Sequence, residues 1–340
     1  MSHDIDQTTG NAIAFVGETP WHGLGEKLPE GADIATWRRA AHLEWSVKEG
    51  AVLFKREHPG LMAPGMEQPV SETVPFPHRK ALYRSDTLAP LSIVSDKFRV
   101  VQPGDVLEFF RKLVESNGFR LETAGALREG RRIWALARIA EEIKVLDDIV
   151  QPYCLLSTAY DATMATWARL CATRVVCANT IAYAESEKGN IVRVPHNVTL
   201  DFEDVRLQLG LALDAWEKFK VRSLKMAERE MPDPEAEAFL RELLGVAEGD
   251  APRGFARILE LFKGAQAGGD KRSTRQTIWG LVQAVAEHVD HNPYARSDDT
   301  RQDSAWFGRG SDLKVKAFQK ALAVVEPAND DNARKEAVAA

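Results

Sequence analysis

Arginine and tryptophan alternate in two short stretches, and that spacing is the chain's clearest chemical signal. In RRIWALARI, strand periodicity turns Arg132, Trp134, Leu136 and Arg138 one way and Arg131, Ile133, Ala135 and Ala137 the other. In TWARLCA, Trp167 and Arg169 share a side opposite Ala168 and Leu170. If the two strands align, guanidinium and indole groups interleave on one sheet face. Guanidinium groups neutralise phosphates and indoles accept stacked bases, at about 1–3 kcal/mol per base, so such a face can hold single-stranded nucleic acid. Residues 119–138 carry five arginines (Arg120, Arg128, Arg131, Arg132, Arg138) against Glu122 and Glu129, a local charge of +3. The competing reading makes Trp134 and Trp167 core residues whose neighbouring arginine stems cover the sheet edge.

Other groups deserve a chemical reading. In RVVCANTIAYA, Arg174 can reach an anion or a carboxylate, and Asn179 can cap a helix through its side-chain oxygen. Cys177 as a nucleophile needs a histidine base, for which His22 is the attractive candidate. In the loop PWHGLG, Pro20 and the neighbouring glycines forbid a helix and present Trp21 and His22 either as an anchor or as part of a site. Glu287, His288 and His291 close a helical stretch and can share a metal, or they can be a solvated helix end whose histidines suit the negative terminus. No metal or cofactor signature rises above these weak candidates.

The elements that position these groups follow from local pattern. From Phe119 to Tyr183, four β-capable runs with turns at Gly130 and Asp161 feed CANTIAYA, which reads as a helix start. Upstream, Asp33 caps a short amphipathic helix, WSVKEGAVLFK reads as strand, turn and strand around Gly50, and residues 58–78 read as a Pro-rich surface insertion without period. Strands resume in KALYRS and LSIVS, and Pro103 opens a helix with Val106, Phe109, Phe110, Leu113 and Val114 on one face. Downstream the chain turns helical. Asp201 caps a long amphipathic run, Pro232 and Pro234 break it, and two shorter helices follow. Ser273 to His291 forms another helix with a Ser273–Gln276 capping box, and a last helix carries Leu313, Phe318, Leu322 and Val325. The expected architecture is α+β: an antiparallel sheet with helices on one face over residues 1–200, a helical region over 201–326 packing against it, and a frayed tail over 327–340.

Composition narrows the classes. With 340 residues, 44% of them apolar, the chain can bury a large core. A net charge of −6 excludes a globally basic nucleic-acid coat, so contact with a polyanion must use a local patch. Three cysteines, Cys154, Cys171 and Cys177, lack metal-ligand spacing and read as reduced, buried thiols, which favours the cytoplasm. The polar N-terminus lacks the basic and apolar regions of a secretion signal, and no run of roughly 18 apolar residues offers a membrane span.

The motifs together carry a resemblance. PWHGLG, the ETAGALREGRRIWALARI hairpin, RVVCANT, and the pair TIWGLVQAVAEHVDH and SAWFGRGSDLK resemble, from about Ile13 to Ala323, the phage/plasmid-like family of unknown function, domain of unknown function 932. The matching residues are Trp21, His22, Gly23, Gly25, Gly125, Trp134, Arg174, Cys177, Asn179, Trp279, Asp290, His291, Trp306 and Gly308. The resemblance implies a protein of mobile elements and carries no established activity. Three functions follow: handling single-stranded DNA in annealing or recombination, with an oligomer of this chain holding the strand; a non-enzymatic interaction protein docking through PWHGLG and AWFGRG; or a metal-dependent enzyme using Glu287, His288 and His291.

Overall fold

The computed structural model describes residues 5–17, 23–62, 69–117, 119–138, 142–174, 180–182, 191–205, 213–291, 304–305 and 308–326. In chain order the elements are β1 (Ile13–Phe15), β2 (Glu26–Lys27), α1 (Ile34–Ala40), β3 (Val47–Met62), β4 (Pro69–Arg84), β5 (Pro90–Ser95), α2 (Pro103–Asn117), β6 (Arg120–Leu127), β7 (Arg132–Arg138), β8 (Ile143–Val145), β9 (Asp148–Ala159), β10 (Thr166–Arg174), β11 (Thr180–Ala182) and β12 (Ile191–Val194). Among the described residues the helices α3 (Leu213–Glu228), α4 (Asp233–Leu244), α5 (Arg253–Glu260), α6 (Ile278–Asp290) and α7 (Arg309–Val325) follow. The main sheet runs β11-β10-β9-β7-β6-β1-β2, with β12 also on β10 and β8 on β9. A second sheet has the order β3-β4-β5. The pairings are antiparallel except for β1 with β2. The architecture is α+β.

Local chemistry explains the helix starts. Asp33 accepts from the Thr36 N–H at 2.7 Å and caps α1. Pro103 opens α2 where its missing N–H costs nothing, and the Asp105 carboxylate reaches back to the Gln102 N–H. Val106, Phe109 and Phe110 of α2 are buried in the same core as the first face of the main sheet, made of Ala124, Ala126, Ile133, Ala135, Ala137, Leu156, Ala168 and Leu170. The alanines let the helix approach closely. That core continues without a break through Phe219, Phe239, Trp279 and Phe318, so the sheet and the C-terminal helices share one apolar interior. Each such side chain contributes about 1.5–3 kcal/mol of burial.

Four expectations from local pattern are corrected. Gly50 is not a turn: β3 runs straight through it, opposite Ala81. Within the Pro-rich stretch over 58–78, residues up to Met62 and from Pro69 on are strand rather than irregular chain and belong to the long β3–β4 hairpin. β5 pairs only with Arg79–Tyr83, so around Pro75 and Pro77 β4 has a neighbour on one side only, and an edge that needs no donors tolerates proline. Thr180–Ala182 forms β11 against β10 rather than starting a helix. The Ser273–Gln276 capping box is not used: the Ser273 N–H is taken by Asp147, and Thr277 caps α6 by accepting from the Gly280 N–H.

Candidate functional site on the second face of the main sheet

The face of the main sheet away from α2 collects the alternating arginines and tryptophans in rows set by strand register. One row runs Gly125, Trp134, Ser157, Trp167 and Arg193 across β6, β7, β9, β10 and β12. The next runs Thr123, Leu136, Leu155 and Arg169. A third holds Arg120, Arg138, Tyr153 and Cys171, and Arg132 stands between Leu127 and Ala159 beyond the first. Arg132, Trp134, Arg138, Trp167 and Arg169 therefore do share one face, with β9 between the two strands that carry them.

That face is covered. Trp134 is 2% exposed and Trp167 7%, packed with Ile5, Ile13, Leu127, Leu155 and the half-buried Leu24, Leu136 and Met164. The open indole floor that alternation suggests is thus a closed layer, and bases cannot stack on these rings as they stand. The reason is tertiary: Ile5 bridges to Leu127, and β1 lies beside β6, bringing distant apolar residues over the rings. Arg132 and Arg169 are buried with them. Arg169 lies 4.9 Å over the Trp167 ring and donates to Ser311 Oγ at 2.7 Å, at the start of α7. Burial pushes its guanidinium below the ordinary arginine range.

Close to Arg169, the Lys314 ammonium of α7 meets the Asp290 carboxylate of α6 at 2.6 Å, and both side chains are buried. Burial lowers the Lys314 pKa against the opposing pull of Asp290. Cys171 lies in the same region, its thiol pushed up to about 11 by burial, and burial raises Cys154 as well. Both are free, protonated thiols and poor nucleophiles.

At the lower end of the face the sheet opens. The register slips between Leu121 and Thr123, so Glu122 is an extra residue, and the bulge aims its carboxylate at the second face. Tyr153 donates its hydroxyl to Glu122 Oε1 at 2.8 Å, and Arg138 Nε lies 3.9 Å from Oε2. Burial raises the Glu122 pKa against the lowering effects of Tyr153 and Arg138, and burial then Glu122 raise that of Tyr153. The side chains of Arg138 and Glu122 keep 36% and 32% of their exposure. Arg120, more exposed, pairs loosely with Glu30 at 3.7 Å.

The remaining candidates scatter. Arg131 turns to the other side, donating to the Leu91 carbonyl at 3.2 Å and pairing with Glu129. Arg174 ends β10, and its side chain lies outside the described residues, as do Trp21, His22, Cys177, Asn179 and Trp306. Trp279 is fully buried, its indole N–H donating to Asp148 at 3.2 Å. Gly25 at φ +106 lies so close to β1 that a Cβ would come within 2.7 Å of the Ile13 carbonyl oxygen, and Gly23 also has positive φ. Gly308 precedes α7 as its N-cap. Glu287, His288 and His291 do not converge: Glu287 accepts the Ala267 N–H, His288 packs beside Gly254 with its pKa lowered by burial and then Arg257, and His291 is the exposed C-cap of α6. Among the described residues no three His, Cys, Asp or Glu side chains could hold a metal, and no helix is long and apolar enough to cross a membrane.

Sequence reading missed Glu122, Tyr153 and Lys314. Glu122 left a trace: Leu121, Ala124 and Ala126 all face the core, and the odd spacing from 121 to 124 requires one extra residue between them. Tyr153 left none, since its strand is buried on both faces.

An α+β protein whose main sheet is antiparallel but for β1 with β2, with α2 on one face and a charged, mostly closed second face, is the class these observations define. The family model described as Domain of unknown function (DUF932) matches residues 90–306, more than half the chain, and the chain belongs to that family. Comparison with curated proteins and with solved structures gives no match.

Proposed function

We propose that the chain binds a phosphate-bearing ligand at the second face of the main sheet, single-stranded DNA being the form favoured, in the service of DNA handling on phages or plasmids. The observation that supports this reading is the shared face of Arg132, Arg138 and Arg169, with Arg120 at its open end. Because Trp134 and Trp167 are covered, first contact is by charge at Arg120 and Arg138 rather than by stacking. Stacking would follow only where Ile5 and Leu24 move off the rings.

The test is a titration of labelled single-stranded DNA at rising salt, with tryptophan fluorescence followed in parallel. Binding whose affinity falls with salt supports the reading, and weakening by Arg138→Gln assigns it to this face. Quenching of the indoles would report uncovering of the floor. No binding at low salt, or binding with no salt slope, retires the proposal.

A further inference from the structure

The open end of the face sets a half-exposed cation, Arg138, against a carboxylate that stands at a strand irregularity. Alternation onward from Arg120 puts Glu122 on the second face and alternation back from Thr123 puts it on the first, where α2 packs; the bulge reconciles the two. With it, the carboxylate stands between Tyr153 and Arg138. At 3.9 Å the Arg138–Glu122 contact is long for an ion pair, while the Tyr153 hydrogen bond at 2.8 Å is firm. Glu122 is thus held by Tyr153 and only leans on Arg138, whose guanidinium has donors to spare for a second acceptor.

We propose that Arg138 and Arg120 form the phosphate-accepting end of this face, and that Glu122 is a built-in competitor: an incoming phosphate takes the Arg138 guanidinium, and the Glu122 carboxylate takes up a proton from solvent. This rests on the phosphate-binding reading above. A bound phosphate beside Glu122 sets two negative groups at one cation, which favours the neutral carboxylic acid. Partial burial already inclines Glu122 that way, its pKa lying above the ordinary value of 4.5. Among the described residues, the charged and titratable groups around it are Arg120 on its own strand, Arg138 on β7, Tyr153 on β9 and, beyond Tyr153, Cys171 on β10. Glu30 reaches Arg120 from the chain leading into α1, and β1 is followed by Val16, whose N–H donates to the Glu122 carbonyl. Since Glu122 binds more protons in the complex than in the free protein, affinity falls as pH rises from the acid side and levels off once the carboxylate is ionised in both states.

The experiment is calorimetric titration of the full chain with a 5′-phosphorylated single-stranded oligodeoxynucleotide and, separately, with inorganic phosphate. It runs from about pH 5 to about pH 8 in two buffers of unequal ionisation heat, which reports the net proton exchange of protein and probe together. The wild-type protein should take up protons with both probes. Glu122→Gln should bind with no uptake and about fivefold more tightly at the upper pH, the size of a partly exposed ion pair. Arg138→Gln should bind weakly and without uptake. Wild-type binding without proton uptake overturns this inference and leaves the phosphate reading standing, and so does uptake that survives Glu122→Gln. Uptake with the oligonucleotide alone overturns the assignment to a phosphate group. Failure of all three proteins to bind either probe overturns both readings.

Discussion

Arg84 gathers more of the fold around one side chain than any of the arginines on the candidate face. Its side chain is fully buried, paired with Asp6 and with Asp86 at 2.7 Å, and it lies 4.3 Å over the Trp45 ring. Gly130, at φ +88, closes the space beside it: a Cβ there would come within 2.9 Å of both Arg84 and Trp45. Removing the guanidinium strands the buried Asp6 carboxylate. Arg84→Met should therefore cost about 3–5 kcal/mol, read as a lower midpoint of urea unfolding with an unchanged slope. The arginines of the second face differ in kind. Arg169 is buried against Trp167 and Ser311, so its loss would act through packing, whereas Arg138 at the open end is free to act on a ligand's charge.

Strand alternation decides which side chains are neighbours, and irregularities in it decide which of them face a site. The bulge at Glu122 is one such irregularity. Another falls in the β3–β4 hairpin, where Ala51 pairs with Lys80 but Leu53 pairs with Pro75. Beyond that point the hairpin leaves β5 behind and stands as a two-stranded arm with Leu53, Phe54 and Phe76 exposed and the two phenylalanine rings 5.9 Å apart. None of these three belongs to the core that joins the sheet and helices. Replacing the arm beyond Ala51 and Lys80 with a short turn should change the thermal midpoint by no more than a few degrees, measured by differential scanning calorimetry. The prolines there misled the sequence reading because a strand edge without a partner tolerates what an inner strand does not.

Across the whole molecule, the turn between β8 and β9 ties the sheet to the C-terminal helices. Asp147 accepts the backbone N–H groups of Arg272 and Ser273 at 2.8 and 2.9 Å, and buried Asp148 takes the Trp279 indole at 3.2 Å. Burial alone would raise the Asp147 carboxyl, but the hydrogen bonds from Ser273 and Arg272 outweigh it and hold the pKa below its ordinary value. A depressed carboxylate stabilises the fold above its unfolded-state pKa and loses that contribution as pH falls through the folded value. Asp147→Asn should lower stability near neutral pH by about 1 kcal/mol and flatten the acid limb of a stability-against-pH curve, measured by urea unfolding. Gly280 sits at the same junction, where a Cβ would fall 1.8 Å from the Thr274 carbonyl oxygen, so the loop and α6 pack backbone to backbone. What the amino-acid order alone determined was local: helix starts at Asp33 and Pro103, the hairpin strands, and the grouping of Arg132, Trp134 and Arg138 on one side, since each depends on residues a few positions apart. Only the tertiary structure decided that this side is covered and that Glu122 meets Tyr153 and Arg138, because burial and side-chain meetings are set by what distant stretches bring to the same place.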